Sequence, residues 1–188
     1  MTIRDIVKKY ENLLKEDRYE EVFKKCDAGE ERRVLIDFLY DCGIDVLAHM
    51  TTIPTQFFYN TNIKIVTIPN SITSIGYQAF AQSNVSEVYM DDSVTSMDTA
   101  VFLNCHNLSK IRLSRSLEKI PNRTFENCSN LQRIFIPESV TVFGNDVFKG
   151  CPDDILIVTT FREDPKDSIR FTNKDVEFYK THLKFKRQ

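Results

Sequence analysis

Glycine is scarce in this chain, with five residues in 188. So few leave little from which to build a phosphate-cradling loop, and neither Gly-x-x-x-x-Gly-Lys nor Gly-x-Gly-x-x-Gly occurs. No Cys-x-x-Cys occurs either, and five cysteines is an odd count, which points to reduced thiols rather than a disulfide framework. No apolar run is long enough to span a bilayer, and Met1-Thr-Ile-Arg-Asp-Ile-Val lacks the apolar core of a signal peptide. The expectation is therefore a cytoplasmic protein with no membrane contact, in which sequons such as Asn84-Val-Ser86 and Asn107-Leu-Ser109 stand idle. There is no excess of either charge. With 25 basic and 27 acidic residues, the balance argues against a general nucleic-acid binder, although a local basic patch stays open.

What is present is a repeat. Ile134 falls in step with Ile111 and Val88, and Phe148 with Phe125, Phe102, Phe80 and Phe58, in steps of 22 or 23 residues. An apolar-x-apolar core returning at one phase with such a period marks a solenoid, in which no single unit can bury its own apolar face. An imprecise first unit covers roughly 44–62, better ones cover 63–84, 85–107 and 108–130, and the last full unit is 131–153. Ile155-Leu-Ile-Val158 reads as one more strand.

Within each unit Val66-Thr-Ile68, Val88-Tyr-Met90, Ile111-Arg-Leu113 and Ile134-Phe-Ile136 alternate with period two, so each is a short strand with one face inward. The segment after it, such as Ser71-Ile72-Thr-Ser-Ile75, supplies two more inward residues. The column Pro54, Gly76, Asp98, Pro121 and Gly144 contains proline, which excludes a positive-φ turn there and favours the opening of a short helical turn. The phenylalanine column forms a buried spine. Thr61, Ser83, Cys105, Cys128 and Cys151 share a column that asks for a small side chain, where free cysteine serves as a small hydrophobe.

Residues 1–43 lack the repeat and have helical spacing. Ile3, Ile6, Val7, Tyr10, Leu13 and Leu14 form one stripe, a shorter helix follows over Tyr19, Val22, Phe23 and Cys26, and a third runs from about Glu30 to Cys42 with Val34, Leu35, Phe38 and Leu39 inward. Gly43 is placed as a helix stop. These helices suit the cover that the open end of a solenoid needs, and their nine basic and eleven acidic residues make a DNA-recognition helix the weaker reading. From Phe161 the repeat is gone, and Asn173 is placed to cap a helix carrying Val176, Tyr179 and Leu183 over the last strand edge. The expected organisation is thus a helical N-terminal cap (1–43), about five leucine-rich units (44–160) and a C-terminal capping segment (161–188).

Residues 131–151 and 63–83 carry the fullest match to Leu-x-x-Ile-x-Ile-Pro-x-Ser-Val-x-x-Ile-Gly-x-x-Ala-Phe-x-x-Cys. In this pattern the chain resembles the BspA-like, or Treponema-type, leucine-rich repeats over about 44–158. The resemblance implies an α/β repeat solenoid, a right-handed stack of short strands with a helical or turn convex side, used for protein or surface recognition and bringing no catalytic residues. Many members look like secreted adhesins. Short versions among bacteriophage proteins look similar in their helical front end, which implies an inhibitor of a host protein.

Strand residues that point away from the core line the outer, concave sheet face. The central column is Thr67, Tyr89, Arg112 and Phe135; beside it run Ile65, Glu87, Lys110 and Arg133, and beyond the strands come Asn70, Asp92, Arg115 and Glu138. Tyrosine, arginine and exposed phenylalanine dominate interface hot spots, so this face is the expected partner-binding stripe. The competing reading is that Arg112, between two aromatics, merely stabilises the sheet through cation–π contacts. Catalysis finds no support. The one adjacent thiol–imidazole pair, Cys105-His106, has its cysteine in the buried column, His49 and His182 are isolated, and Asp91-Asp92 reads as a solvated turn rather than a metal site. The sequence therefore predicts a non-enzymatic protein-binding module with no cofactor and no metal, monomeric or weakly self-associating. The alternatives are a self-assembling structural solenoid, and nucleic-acid binding through Lys110, Arg112, Arg115 and Arg133.

Overall fold

The computed structural model describes residues 2–26 and 29–158 and the backbone of 169–170. Four helices come first: α1 (Ile3–Lys9), α2 (Glu11–Lys15), α3 (Tyr19–Lys25) and α4 (Glu30–Asp41). Thr2 opens α1 through a reciprocal box, its hydroxyl accepting from the Asp5 amide while the Asp5 carboxylate accepts from the Thr2 amide. The single stripe expected over residues 3–14 is in fact two short helices broken at Tyr10. The break turns the Tyr10 ring into the core, where its hydroxyl donates to the Lys25 carbonyl at 3.4 Å. The Arg32 guanidinium donates to the Phe23 and Cys26 carbonyls and so satisfies the end of α3.

In α4 the buried residues are Leu35, Ile36 and Leu39, whereas Phe38, expected inward, is 36% exposed. The inward stripe is centred between Leu35 and Ile36, so at about 100° per residue Phe38 lies on its flank. Gly43, at φ +75°, ends the helix in a Schellman motif, with Ile44 N–H donating to Leu39 and Gly43 N–H to Tyr40.

The first repeat unit departs from the others. Where its outer strand was expected, Val46–His49 forms a single 3-10 turn that buries Val46 and Leu47, and only β1 (Thr52–Ile53) is strand. The regular units then supply β2 (Ile65–Ile68), β4 (Glu87–Met90), β6 (Lys110–Arg112), β8 (Arg133–Phe135) and β10 (Leu156–Val158), paired in that order and parallel. A last strand, β11 (Ile169–Arg170), lies antiparallel on β10. A strand, then, pairs with the last repeat edge; the helix expected from Asn173 lies outside the described residues.

Each unit also contributes a two-residue strand on a second side. β1, β3 (Ser74–Ile75) and β5 (Ser96–Met97) form one ladder, and β7 (Lys119–Ile120) and β9 (Val142–Phe143) another. The convex side is turn rather than helix. Two columns there adopt the left-handed region, Gln56, Gln78, Ala100, Arg123 and Asp146, then Asn60, Gln82, Asn104, Asn127 and Gly150. This alternation aims amides at the next unit, as in Phe58 N–H to Ala79 O (2.7 Å) and Phe80 N–H to Val101 O (2.9 Å), so the backbone ladder continues around the coil. Gly76 and Gly144 are required for closeness instead of φ. A Cβ on Gly144 would stand 2.4 Å from Asn122 N, and one on Gly76 2.6 Å from Thr55 N; in both cases the unit beneath carries a proline in the same column.

The phenylalanine spine is continuous, with Phe58, Phe80, Phe102, Phe125 and Phe148 stacked at centroid separations of 4.8, 5.1, 5.5 and 5.5 Å. At its foot Phe57 and Phe23 meet edge to face, joining the spine to α3. The small column does more than fit. The Cys105, Cys128 and Cys151 thiols donate to the Phe80, Phe102 and Phe125 carbonyls at 2.9, 3.2 and 3.0 Å, as the Thr61 hydroxyl does to Phe58.

Candidate functional site

The outer face of the six-stranded sheet carries two registered columns. Ile65, Glu87, Lys110 and Arg133 stand side by side, as do Thr67, Tyr89, Arg112 and Phe135. Parallel pairing holds each column at a spacing of about 4.8 Å, within reach of long and aromatic side chains. Thr67, Lys110 and Arg133 are exposed, and Glu87, Tyr89, Arg112 and Phe135 are half-buried.

Two clusters form on this face. In the first, the Tyr89 hydroxyl donates to the Glu87 carboxylate while Lys110 Nζ lies 5.1 Å from the Tyr89 ring centroid and 4.0 Å from Glu87. Its contact with Tyr89, and after it the charge of Glu87, raises the Lys110 pKa above the ordinary lysine value, so this ammonium stays charged. The cation over Tyr89 is therefore Lys110, where the sequence reading had set Arg112. Lysine at that register reaches across one strand to the ring, whereas Arg112 is drawn sideways to backbone and carboxylate.

Asp92 organises the second cluster. Its carboxylate accepts from Arg112 Nη2 and the Arg115 amide, both at 3.0 Å, with Arg115 Nε 3.6 Å away, and its carbonyl accepts from the Ser116 hydroxyl at 2.6 Å. Arg112 Nη1 also donates to the Met90 carbonyl. A guanidinium fixed at both nitrogens is a rigid recognition element, with its ordering entropy largely lost before any partner arrives. Six of the nine expected residues thus fall into two contacting clusters, and Phe135 stands in register beside Arg112. Thr67 stands a strand beyond Tyr89, and Arg133 pairs in register with Lys110. Among these nine, four cations face two carboxylates, so the set is positive in a chain of net charge -2.

The cysteines offer no competing site. Burial pushes the Cys105 thiol up to about 12, while His106 is exposed and turned to Ser129, 3.4 Å from its hydroxyl. The adjacent pair therefore diverges. Among the described residues no group of three or more His, Cys, Asp or Glu side chains is placed to hold a metal, and no helix is long and apolar enough to cross a membrane. All five cysteines are free, and Cys42 alone is exposed. A disulfide-exchange reagent is expected to modify one thiol quickly in the native protein at pH 8 and the other four only on unfolding. Fast reaction of two or more would show that the buried column opens.

A family model, the BspA type leucine rich repeat region, matches residues 43–161 in six copies. The chain belongs to the BspA-type leucine-rich repeat family. Among solved structures, this BspA-type solenoid is similar to the pneumococcal vaccine antigen PcpA, at 24% identity and a TM-score of 0.53 over 57% of this chain and 28% of that one. That likeness concerns the fold. A leucine-rich cell surface protein from Faecalibacterium prausnitzii aligns at 19% identity over 66% of this chain and 44% of its own, with a TM-score of 0.40. A leucine-rich repeat protein from Bacteroides ovatus aligns at 21% identity over 57% of this chain and 34% of its own, also with a TM-score of 0.40. The BspA-type chain thus spans less than half the length of each. No curated protein matches it.

Proposed function

We propose that this protein is a non-enzymatic recognition module that binds a protein partner through the outer face of its six-stranded sheet, centred on Tyr89, Arg112 and Phe135. The observation that carries the reading is preorganisation: Tyr89, Lys110 and Glu87, and Arg112 with Asp92 and Arg115, already hold one another in place on a rigid ladder. Little freedom is left to lose on docking. Membership in a leucine-rich repeat family, whose members serve protein interaction, supports the same reading. In it, residues 1–43 cap the stack, 44–160 present the face and 161–188 close the far end. Free thiols, four of them buried, suit a reducing cytoplasm. The bacteriophage form of the proposal makes the partner a host protein inhibited by occlusion of its surface.

The test is a pull-down from the source cell's lysate, run with the wild type and with Tyr89→Ala, Arg112→Ala, Phe135→Ala combined, after matching their melting. The expected result is a partner held by the wild type and lost from the folded variant, by about a hundredfold or more in affinity if two of the three are hot spots. A partner retained equally by both sinks the proposal. One observation favours self-association instead. Strand β2 is an outer strand of the sheet, and its Ile65 is 58% exposed. Sedimentation that stays monomeric at high concentration removes that alternative.

A further inference from the structure

The N-terminal helices carry an open apolar groove whose lining is only partly buried. Ile3 and Val7 of α1, Leu14 of α2 and Phe38 of α4 line an open volume of about 640 Å³ with Arg4, Lys8, Glu11 and Lys15. No residue of α2 is buried, and Phe38 is 36% exposed in a helix whose inward stripe is otherwise complete. The rim is cationic. Lys15 pairs with Glu11 at 2.5 Å and the charge of Lys8 also acts on Glu11, while Arg4 has no salt-bridge partner among the described residues. Three cations against one carboxylate beside an apolar floor, in a chain that is acidic overall, define what complements them.

From this we infer that the groove is a second docking site, distinct from the sheet face, for an amphipathic acidic helix of a partner protein. Ile3 and Val7 are four residues apart and form a ridge along α1, with Leu14 and Phe38 extending the floor, the form that accepts a helix bearing apolar residues at i, i+3 and i+7. Glutamates flanking that stripe would face Arg4 and Lys8. The site speeds and orients capture electrostatically, and the apolar floor sets the lifetime of the complex.

The probe is a pair of synthetic helical peptides of about four turns, with leucine at i, i+3, i+4 and i+7 and either glutamate or lysine elsewhere, titrated by fluorescence anisotropy into the full chain. The glutamate peptide is expected to bind and the lysine peptide to fail. Phe38→Asp should weaken binding by about tenfold or more at unchanged melting, and Arg4→Glu with Lys8→Glu should reverse the preference toward the lysine peptide. The Tyr89, Arg112, Phe135 triple variant should bind the glutamate peptide as wild type does, which separates this site from the sheet face. Equal binding of both peptides, binding of neither, or insensitivity to Phe38→Asp and to the charge swap overturns the inference. A dimer of the full chain that Phe38→Asp abolishes overturns it in favour of a second copy as the occupant.

Discussion

Replacing Phe125 with alanine is expected to lower stability by about 3–5 kcal/mol, the usual cost of emptying a fully buried aromatic position. The side chain has no exposed surface, and its ring stacks within 5.5 Å of Phe102 on one side and Phe148 on the other, with planes tilted by only 6° and 10°. A solenoid unit touches only its neighbours, so a void here weakens two unit-to-unit interfaces at once. Phe148 offers a control: among the described residues it is the last ring of the column and has one stacked neighbour, so Phe148→Ala should cost measurably less. Denaturant unfolding of the two variants gives the comparison. A soluble Phe125→Ala protein with an unchanged midpoint would remove the continuous spine as the source of stability. Equal losses at both positions would show that the units do not add in nearest-neighbour fashion.

The contrast between Phe125 and Phe38 shows what the sequence made legible and what it hid. Phe125 recurs with four other phenylalanines at one phase, and a column repeated five times averages out local exceptions. The strand register followed by the same logic, because Val66, Val88, Ile111 and Ile134 alternate with outward residues and a one-residue slip would bury Glu87 or Arg112. Phe38 sits in a segment that occurs once. Apolar spacing alone put it inward with Val34, but the stripe of α4 turns toward Ile36, and nothing within residues 30–42 reveals the direction of the solenoid end it covers. The 3-10 turn at Val46–His49 was hidden for a related reason: Ile44 and Val46 keep the repeat's apolar spacing while the backbone meets helices instead of another strand.

On the sheet face the positions were legible and the partners were not. Period two fixes which residues stand outward. Whether Lys110 or Arg112 lies over Tyr89 depends on side-chain reach and on Asp92, which belongs to the loop after β4. That loop's second carboxylate read as solvated, yet it accepts from Arg112 and Arg115 of the next unit. The small column shows the same limit. Thr61, Ser83, Cys105, Cys128 and Cys151 share size, which the sequence displays, and four of the five also donate to a phenylalanine carbonyl, which requires knowing that the column lies beside that backbone.

Asp37→Ala is expected to cost about 2–3 kcal/mol, because it removes the acceptor on which a ladder of amides ends. Asn107 donates through Nδ2 to Asn84 Oδ1 at 2.9 Å, Asn84 donates likewise to Asn62 at 2.8 Å, and Asn62 donates to Asp37 Oδ2 at 3.2 Å. The Asn62 backbone amide also donates to Asp37 Oδ1, at 2.7 Å. Every amide in the run points its donor toward the helical end, so the run needs a group that only accepts, and a carboxylate is such a group. Asp37→Asn should therefore fall between wild type and alanine: one oxygen still serves the Asn62 amide, but the new NH₂ meets the Asn62 Nδ2 donor. Asn62→Ala should cost less than Asp37→Ala, since the backbone donor at residue 62 survives and still finds Asp37. Burial holds the Asp37 pKa above the usual carboxylate value, so the folded state takes up its proton more readily than the unfolded chain. The contribution of this group is then flat above its folded pKa and grows as pH falls toward 3.8, the reverse of an ordinary salt-bridged carboxylate. The stability gap between wild type and Asp37→Asn should accordingly widen on acidification. Because Asp37 ties α4 to the end of the first repeat unit through Asn62, its loss should also let the helices melt before the solenoid. Hydrogen exchange in Asp37→Ala that quickens over residues 30–41 while β4 and β6 stay protected is the expected pattern; uniform quickening across both would show that the cap and the stack unfold as one unit without this junction.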